Sequence, residues 1–160
     1  MKRITALLLA PLLALTLLSG CCIQYRQPED ILEALDGIAE RLGESQLTQP
    51  DDLFGTRTCK DGYTGEYLAD CDGAYGSEVV FGGASIEERR VSLSGKIITK
   101  SGSAKVHVRQ NLDVTDCEPS EDGSFALELE LEGGGNYIII NYDGFCGTVE
   151  LSCEYLPQEG

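Results

Sequence analysis

The sequence predicts a mainly β protein, an antiparallel β-sandwich of about seven strands preceded by one amphipathic helix. Three observations carry this reading. From Gly62 onward apolar and polar residues alternate with period two, without a fault in Phe125-Ala-Leu-Glu-Leu-Glu-Leu-Glu132. The apolar runs are short and are separated by glycine-rich or Asp-Gly turns. Only the stretch from Pro28 shows helical spacing and no repeat follows it, which favours an antiparallel sandwich over βαβ units.

The helix is read over residues 28–43. Ile31, Leu32, Leu35, Ile38, Ala39 and Leu42 form one apolar stripe. Pro28 suits a first turn, Glu29 and Asp30 complement the positive end of the helix dipole, and Gly43 fits a C-cap. Gly37 weakens the helix by about 1 kcal/mol relative to Ala. A helix this short needs packing, so its stripe is expected to lie on the β domain or on a partner. Residues 44–61 are polar and turn-rich and read as a linker.

The β domain is read over residues 62–156. Tyr63, Gly65, Tyr67 and Ala69 share a face of the first strand; Asp72-Gly73 then turns into a short strand at Glu78–Phe81. Val91, Leu93, Gly95 and Ile97 point inward on the next. Lys100-Ser-Gly-Ser103 reads as a hairpin turn into a return strand with Val106 and Val108 inward and Lys105, His107 and Arg109 outward. After an acidic loop, residues 113–123, comes the alternating strand at Phe125. Gly133-Gly-Gly135 turns into Asn136–Tyr142, apolar on both faces as a central strand requires. The last strand puts Val149, Leu151, Cys153 and Tyr155 inward. Cys146 and Cys153, an odd number apart, should face opposite sides.

The first twenty residues have a separate logic. Lys2 and Arg3 precede fifteen nearly all apolar residues, Ile4 to Leu18, too few for a membrane-spanning helix, which needs roughly 20. The end, Leu18-Ser19-Gly20-Cys21, resembles the lipobox of bacterial lipoproteins. The resemblance implies that residues 1–20 are a cleaved signal peptide and that Cys21 takes a diacylglyceryl group. A third chain such as palmitate then joins its amine, and residues 21–27 form the lipidated tether. It places the protein in the bacterial cell envelope, on the exported face, held to the membrane through acyl chains on Cys21. Two or more chains give a stable anchor where one does not. Cys22 stands where an Asp would resemble inner-membrane retention. Across the second half, Gly133-Gly-Gly-Asn-Tyr-Ile and Gly147-Thr-Val-Glu-Leu-Ser are similar to small immunoglobulin-like or CUB-like sandwich lipoprotein domains. Fold alone carries no activity.

The chain has 12 basic and 27 acidic residues, a net charge of −15. Loss of residues 1–20 removes two basic residues and no acidic ones, leaving 10 − 27 = −17 over 160 − 20 = 140 residues. Such acidity argues against nucleic acid as a partner and leaves no polybasic patch for anionic lipid. Besides Cys21 and Cys22, the candidate disulfide cysteines are Cys59, Cys71, Cys117, Cys146 and Cys153; two bridges are expected in an oxidising compartment.

The catalytic inventory is empty. His107 is the sole histidine, and it reads as a surface residue; no G-x-S-x-G, H-E-x-x-H or S-x-x-K is present. No metal site or cofactor is expected from ligand spacing. The weak calcium candidates are Asp70 and Asp72 at one turn and Asp113, Asp116 and Asp122 in the acidic loop, although a calcium loop needs ligands and a glycine at offsets that Asp70-Cys-Asp-Gly-Ala74 does not provide. Three functional readings follow. The first is a non-catalytic binding or structural ectodomain with a protein or glycan partner. The second is a glycan- or ligand-binding module with an acidic cation site. The third is an envelope-complex assembly factor that uses its helix.

Overall fold

The computed structural model describes residues 28–157. The expected signal peptide and tether, with Cys21 and Cys22, lie outside these residues. Contacts separate two compact units, residues 1–34 and 35–160, and the second holds every strand. Helix α1 runs over Pro28–Glu44, and a 3₁₀ turn follows at Pro50–Asp52.

Six strands follow: β1 (Thr56–Cys59), β2 (Gly65–Ser85), β3 (Arg89–Gln110), β4 (Asp113–Cys117), β5 (Ser124–Leu131) and β6 (Gly134–Tyr155). All pairings are antiparallel, in the order β1-β2-β6-β3-β4, with β5 also on β3. The expected seven pieces are present, but six of them are halves of three long strands. Asp72-Gly73, Lys100–Ser103 and Asp143-Gly144, expected to reverse the chain, are corners that it passes without reversing. The ladder slips at these points, between Asp72 and Gly76 on β2 and between Thr99 and Ser103 on β3. Gly73, Gly76, Gly102 and Gly144 carry φ values of 77°, 117°, 71° and 59° there. The close crossing explains the glycine at position 102, where a Cβ would lie 2.2 Å from the Gly144 carbonyl oxygen. A corner and a hairpin turn draw on the same residues, so the local sequence does not tell them apart.

The corners fold one sheet into two layers. The first layer is β1, β2 up to Asp72, β6 from Cys146, β3 up to Thr99, and β5. The second is β2 from Gly76, β6 up to Tyr142, β3 from Ser103, and β4. Between them lies the core, with Tyr67, Leu93, Val149 and Leu151 from the first layer and Val106, Val108, Ile138 and Ile140 from the second. Strand β6 is central in both, as its two-sided apolar run requires. On β5 the leucines turn inward and the glutamates outward.

Segment 44–61 is not a free linker. It carries β1, and Thr48 pairs with the β2 edge in both directions: its N–H donates to the Val79 carbonyl at 3.1 Å, and its hydroxyl accepts from the Val79 N–H at 2.8 Å. Gly43 is not a C-cap. The helix continues to Glu44, and at Gly43 its backbone lies against that of β2, where a Cβ would sit 2.0 Å from the Ala84 nitrogen.

Candidate functional site

The outer faces of the two layers differ. Over the second layer the end of α1 and the segment after it are held down. Arg109 stacks over the Tyr137 ring at 4.6 Å and donates to Gln46 at 2.7 Å, and the Tyr137 hydroxyl donates to the Gly43 carbonyl. Over the first layer nothing among the described residues is laid down, and a groove of about 700 Å³ crosses the sheet.

Two cross-strand rows build this groove. One is Thr58, Glu66, Ser152 and Ser94; the next is Thr56, Leu68, Glu150, Lys96 and Ser124. All are outward positions of regular strands, so the pleat aims every side chain the same way. Small serines in the middle of the sheet and longer Glu66, Lys96 and Glu150 around them leave the depression. Lys60–Glu154 at 3.8 Å and Arg90 with Glu128 and Glu130 at 3.6 and 3.9 Å form ion pairs on the same face. Four hydroxyls that donate and accept, that of Ser124 which already donates to Asp122, two carboxylates that accept and one ammonium that donates face a single volume beside the exposed Leu68. That inventory suits a ligand rich in hydroxyl groups.

Beneath the groove floor is a buried carboxylate that sequence reasoning missed. Glu78 is 1% exposed. One of its oxygens accepts from the Tyr67 hydroxyl and, at 2.6 Å, from the Tyr142 hydroxyl; the other accepts from the Phe54 N–H at 3.0 Å. Tyr67 comes from the first layer and Tyr142 from the second, so this hub ties the layers. Burial, then the bond to Glu78, pushes both phenols above the usual tyrosine range.

The residues singled out from sequence lie elsewhere. Asp122 accepts from the Ser120 and Ser124 hydroxyls at 2.8 and 2.6 Å. These bonds, Ser124 first, hold its carboxyl at about 2. Asp116 lies 2.7 Å from His107 Nδ1. Asp113 opens β4 opposite Gln110; Asp70 lies opposite Thr148, and Asp72 contacts Cys146 Sγ at 3.7 Å. Among the described residues no three His, Cys, Asp or Glu side chains gather as metal ligands. His107 faces outward as expected but is not a surface residue: its side chain is 14% exposed, and Nε2 is buried without a partner.

The expected disulfides are absent among the described residues: Cys59, Cys71, Cys117, Cys146 and Cys153 are all free. The register gives the reason. Cys59 and Cys153 lie in one row with Gly65 between them, two strand spacings or about 10 Å apart, beyond the roughly 7 Å that a bridge spans. Cys71 is buried in the core, whereas Cys146 accepts from the Gly73 N–H at 3.2 Å and contacts the exposed Asp72. Cys146 and Cys153 point to opposite sides, as their spacing requires. Burial first, with nearby carboxylates adding, raises the Cys117 thiol to about 11 and that of Cys153 to about 12, so both stay protonated.

No protein-family model matches the chain, and no curated protein does. Among solved structures it is similar to the pre-peptidase C-terminal domain of a collagenase from Bacillus anthracis, at 15% identity and a TM-score of 0.44, over 58% of this chain and 90% of that one. It is also similar to a CBM35 from Cellvibrio japonicus Abf62, at 16% identity and 0.39, over 64% and 84%. A third likeness is to a carbohydrate-binding module of Cellvibrio mixtus lichenase 5A in complex with cellotriose, at 6% identity and 0.34, over 72% and 95%. No residue role transfers at these scores.

Proposed function

We propose that this chain is a membrane-anchored surface lipoprotein of the bacterial envelope whose β-sandwich is a non-catalytic binding domain. The observation that carries the binding role is the polar groove over the first layer, built by Thr56, Thr58, Glu66, Ser94, Lys96, Ser124, Glu150 and Ser152. Its hydroxyl, carboxylate and ammonium groups match a glycan, whose hydroxyls each donate and accept. Tyr63, Tyr67 and Tyr142 are in the core and Tyr137 is covered by Arg109 on the other layer, so binding in the groove rests on hydrogen bonds and the Leu68 contact rather than on stacking.

A binding rather than hydrolytic role is supported by position. The sole histidine is held by Asp116 on the outer face of the second layer, and the groove serines have no imidazole beside them. Glu66 and Glu150 flank the groove as exposed side chains, outside any enclosed cleft.

The anchor rests on the lipobox at Leu18–Cys21. Among the described residues no helix is long and apolar enough to cross a membrane. Mass spectrometry of the N-terminal peptide tests the anchor, with an acylated Cys21 expected; an unmodified Cys21 defeats it. A glycan array followed by calorimetry tests the groove. Ser152→Trp fills its middle and is expected to abolish binding without unfolding the domain. Binding that survives this substitution moves the site elsewhere, and heat that appears only with added calcium favours the acidic-cation reading instead.

A further inference from the structure

The helix turns a flank to its own domain and not the apolar stripe that an amphipathic pattern predicts. Asp36 makes the contact. Its carboxylate accepts from the Ile86 N–H at 2.7 Å and the Ser85 hydroxyl at 3.2 Å, and pairs with Arg89 at 3.3 Å. Gly43, one turn pair further on, lies against Ala84. Within the apolar stripe Leu35, Ile38 and Leu42 face away, 47%, 56% and 67% exposed. Three large aliphatic side chains in a row on a helix held by these contacts are costly to leave in water.

The spacing of that stripe is that of a coiled-coil seam. Ile31, Leu35, Ile38 and Leu42 are separated by four, three and four residues, which places Leu35 and Leu42 at a and Ile31 and Ile38 at d. The charges obey the same register. Glu29 and Asp36 fall at b, Asp30 and Glu44 at c, and Glu33 and Glu40 at f. The flanking e and g positions hold Leu32, Ala34, Ala39 and Arg41, with no acid among them. Asp36 and Gly43, which hold the domain, are both at b, on the flank of the helix, and leave Leu35, Ile38 and Leu42 exposed.

These facts select the occupant. In a chain of net charge −15, turning most surfaces toward another copy would bring carboxylates together. The a, d, e and g strip is the helix surface that escapes this, and a heptad seam complements itself. Anionic lipid has no polybasic strip to meet here. We propose that α1 is a self-association element and that copies of this chain assemble through parallel α1 helices. Leu at a with Ile at d favours three or four strands over two, and the apolar or small e and g positions widen the seam in the same sense. At 17 residues the helix is about 25 Å long, so the coil is weak in dilute solution and gains from confinement of the chains to one surface.

Sedimentation equilibrium of the full chain, in detergent just above its critical micelle concentration, tests this. The expected mass is three or four copies at high concentration. Leu35→Glu with Leu42→Glu is expected to give the mass of one copy at every concentration; both residues are exposed, so the melting temperature should not move. Exchanging the core types, with Ile31→Leu, Leu35→Ile, Ile38→Leu and Leu42→Ile together, is expected to shift the assembly to two copies. Glu40→Gln, at f, should change nothing. A native chain that stays single at the highest concentration overturns the proposal, as does an assembly that survives the double glutamate variant. A single chain whose helix amides gain exchange protection on phosphatidylcholine vesicles puts lipid on the seam and overturns it too. None of these outcomes depends on what the groove binds.

Discussion

The two layers are made from the same three strands, yet one outer face is a groove and the other is a covered surface. Over the second layer Arg109 stacks on Tyr137, Gln46 accepts from Arg109, and Thr48 pairs with Val79 along the β2 edge. Over the first layer the equivalent outward positions are Ser94, Ser152, Thr56 and Thr58, small and polar, with nothing among the described residues laid across them. The comparison shows that alternation specifies which side chains face out but not what becomes of that face. A large ring at Tyr137 recruits a cover; a row of hydroxyls leaves a depression.

The largest test breaks what the layers share. Glu78→Leu removes the acceptor for the Tyr67 and Tyr142 hydroxyls and the Phe54 N–H, and each buried donor left unpaired costs about 1–3 kcal/mol. A loss of about 3–5 kcal/mol in urea denaturation is expected, with both layers unfolding together. Two separate transitions would show that the corners, and not this hub, hold the layers in register.

Next in size is the helix contact. Asp36→Asn should cost about 1–2 kcal/mol by weakening the bonds to Ile86, Ser85 and Arg89. The Ile86 N–H first, then Ser85 and Arg89, hold the Asp36 carboxyl below its usual 3.8 against its partial burial. A depressed carboxyl stabilises the fold above its unfolded value and loses that effect as pH falls through the folded one. The gap between native and variant stability should therefore be full at neutral pH and close as pH drops below 3.8. A gap that persists in strong acid would mean that the variant acts through shape alone.

Arg109→Ala strips the cover from Tyr137 and should cost about 1 kcal/mol, read as a lower melting temperature with faster amide exchange over residues 43–48. Smallest in stability is the groove itself. Lys96→Ala and Ser94→Ala should move stability by no more than about 0.5 kcal/mol while lowering affinity for a glycan ligand at least tenfold. Such a split between stability and binding would mark the first layer as the working face. A large stability loss there would instead make its polar rows structural.

Much of the β arrangement was legible because a strand's period is local. Val91, Leu93, Val106, Val108, Val149, Leu151 and Cys153 all turned inward as the alternation required, and Asn136–Tyr142 became the central strand that its two apolar faces demanded. The hairpin turns were misread because Lys100–Ser103 and Asp143-Gly144 satisfy a corner as well as a reversal, and only the partner strand decides between them. The groove was not legible: Thr56 and Thr58 fall in the stretch that reads as a linker, and the grouping of Ser94, Ser124 and Ser152 depends on strand order. Glu66 and Lys96 are 30 positions apart and line one groove only because β6 pairs with both β2 and β3.

The sequence by itself determined the β class, the inward and outward parity of the strands, the helix and the acidity, because each follows from neighbours a few residues away. Tertiary structure alone decided that Cys59 and Cys153 sit too far apart to bridge while Cys71 and Cys146 point to different sides, that Glu78 lies buried among tyrosines, and that the helix docks by Asp36 with Leu35 and Leu42 outward. Each of these is set by which distant strands pair and where the sheet folds over, and pairing between distant strands leaves no local periodic trace.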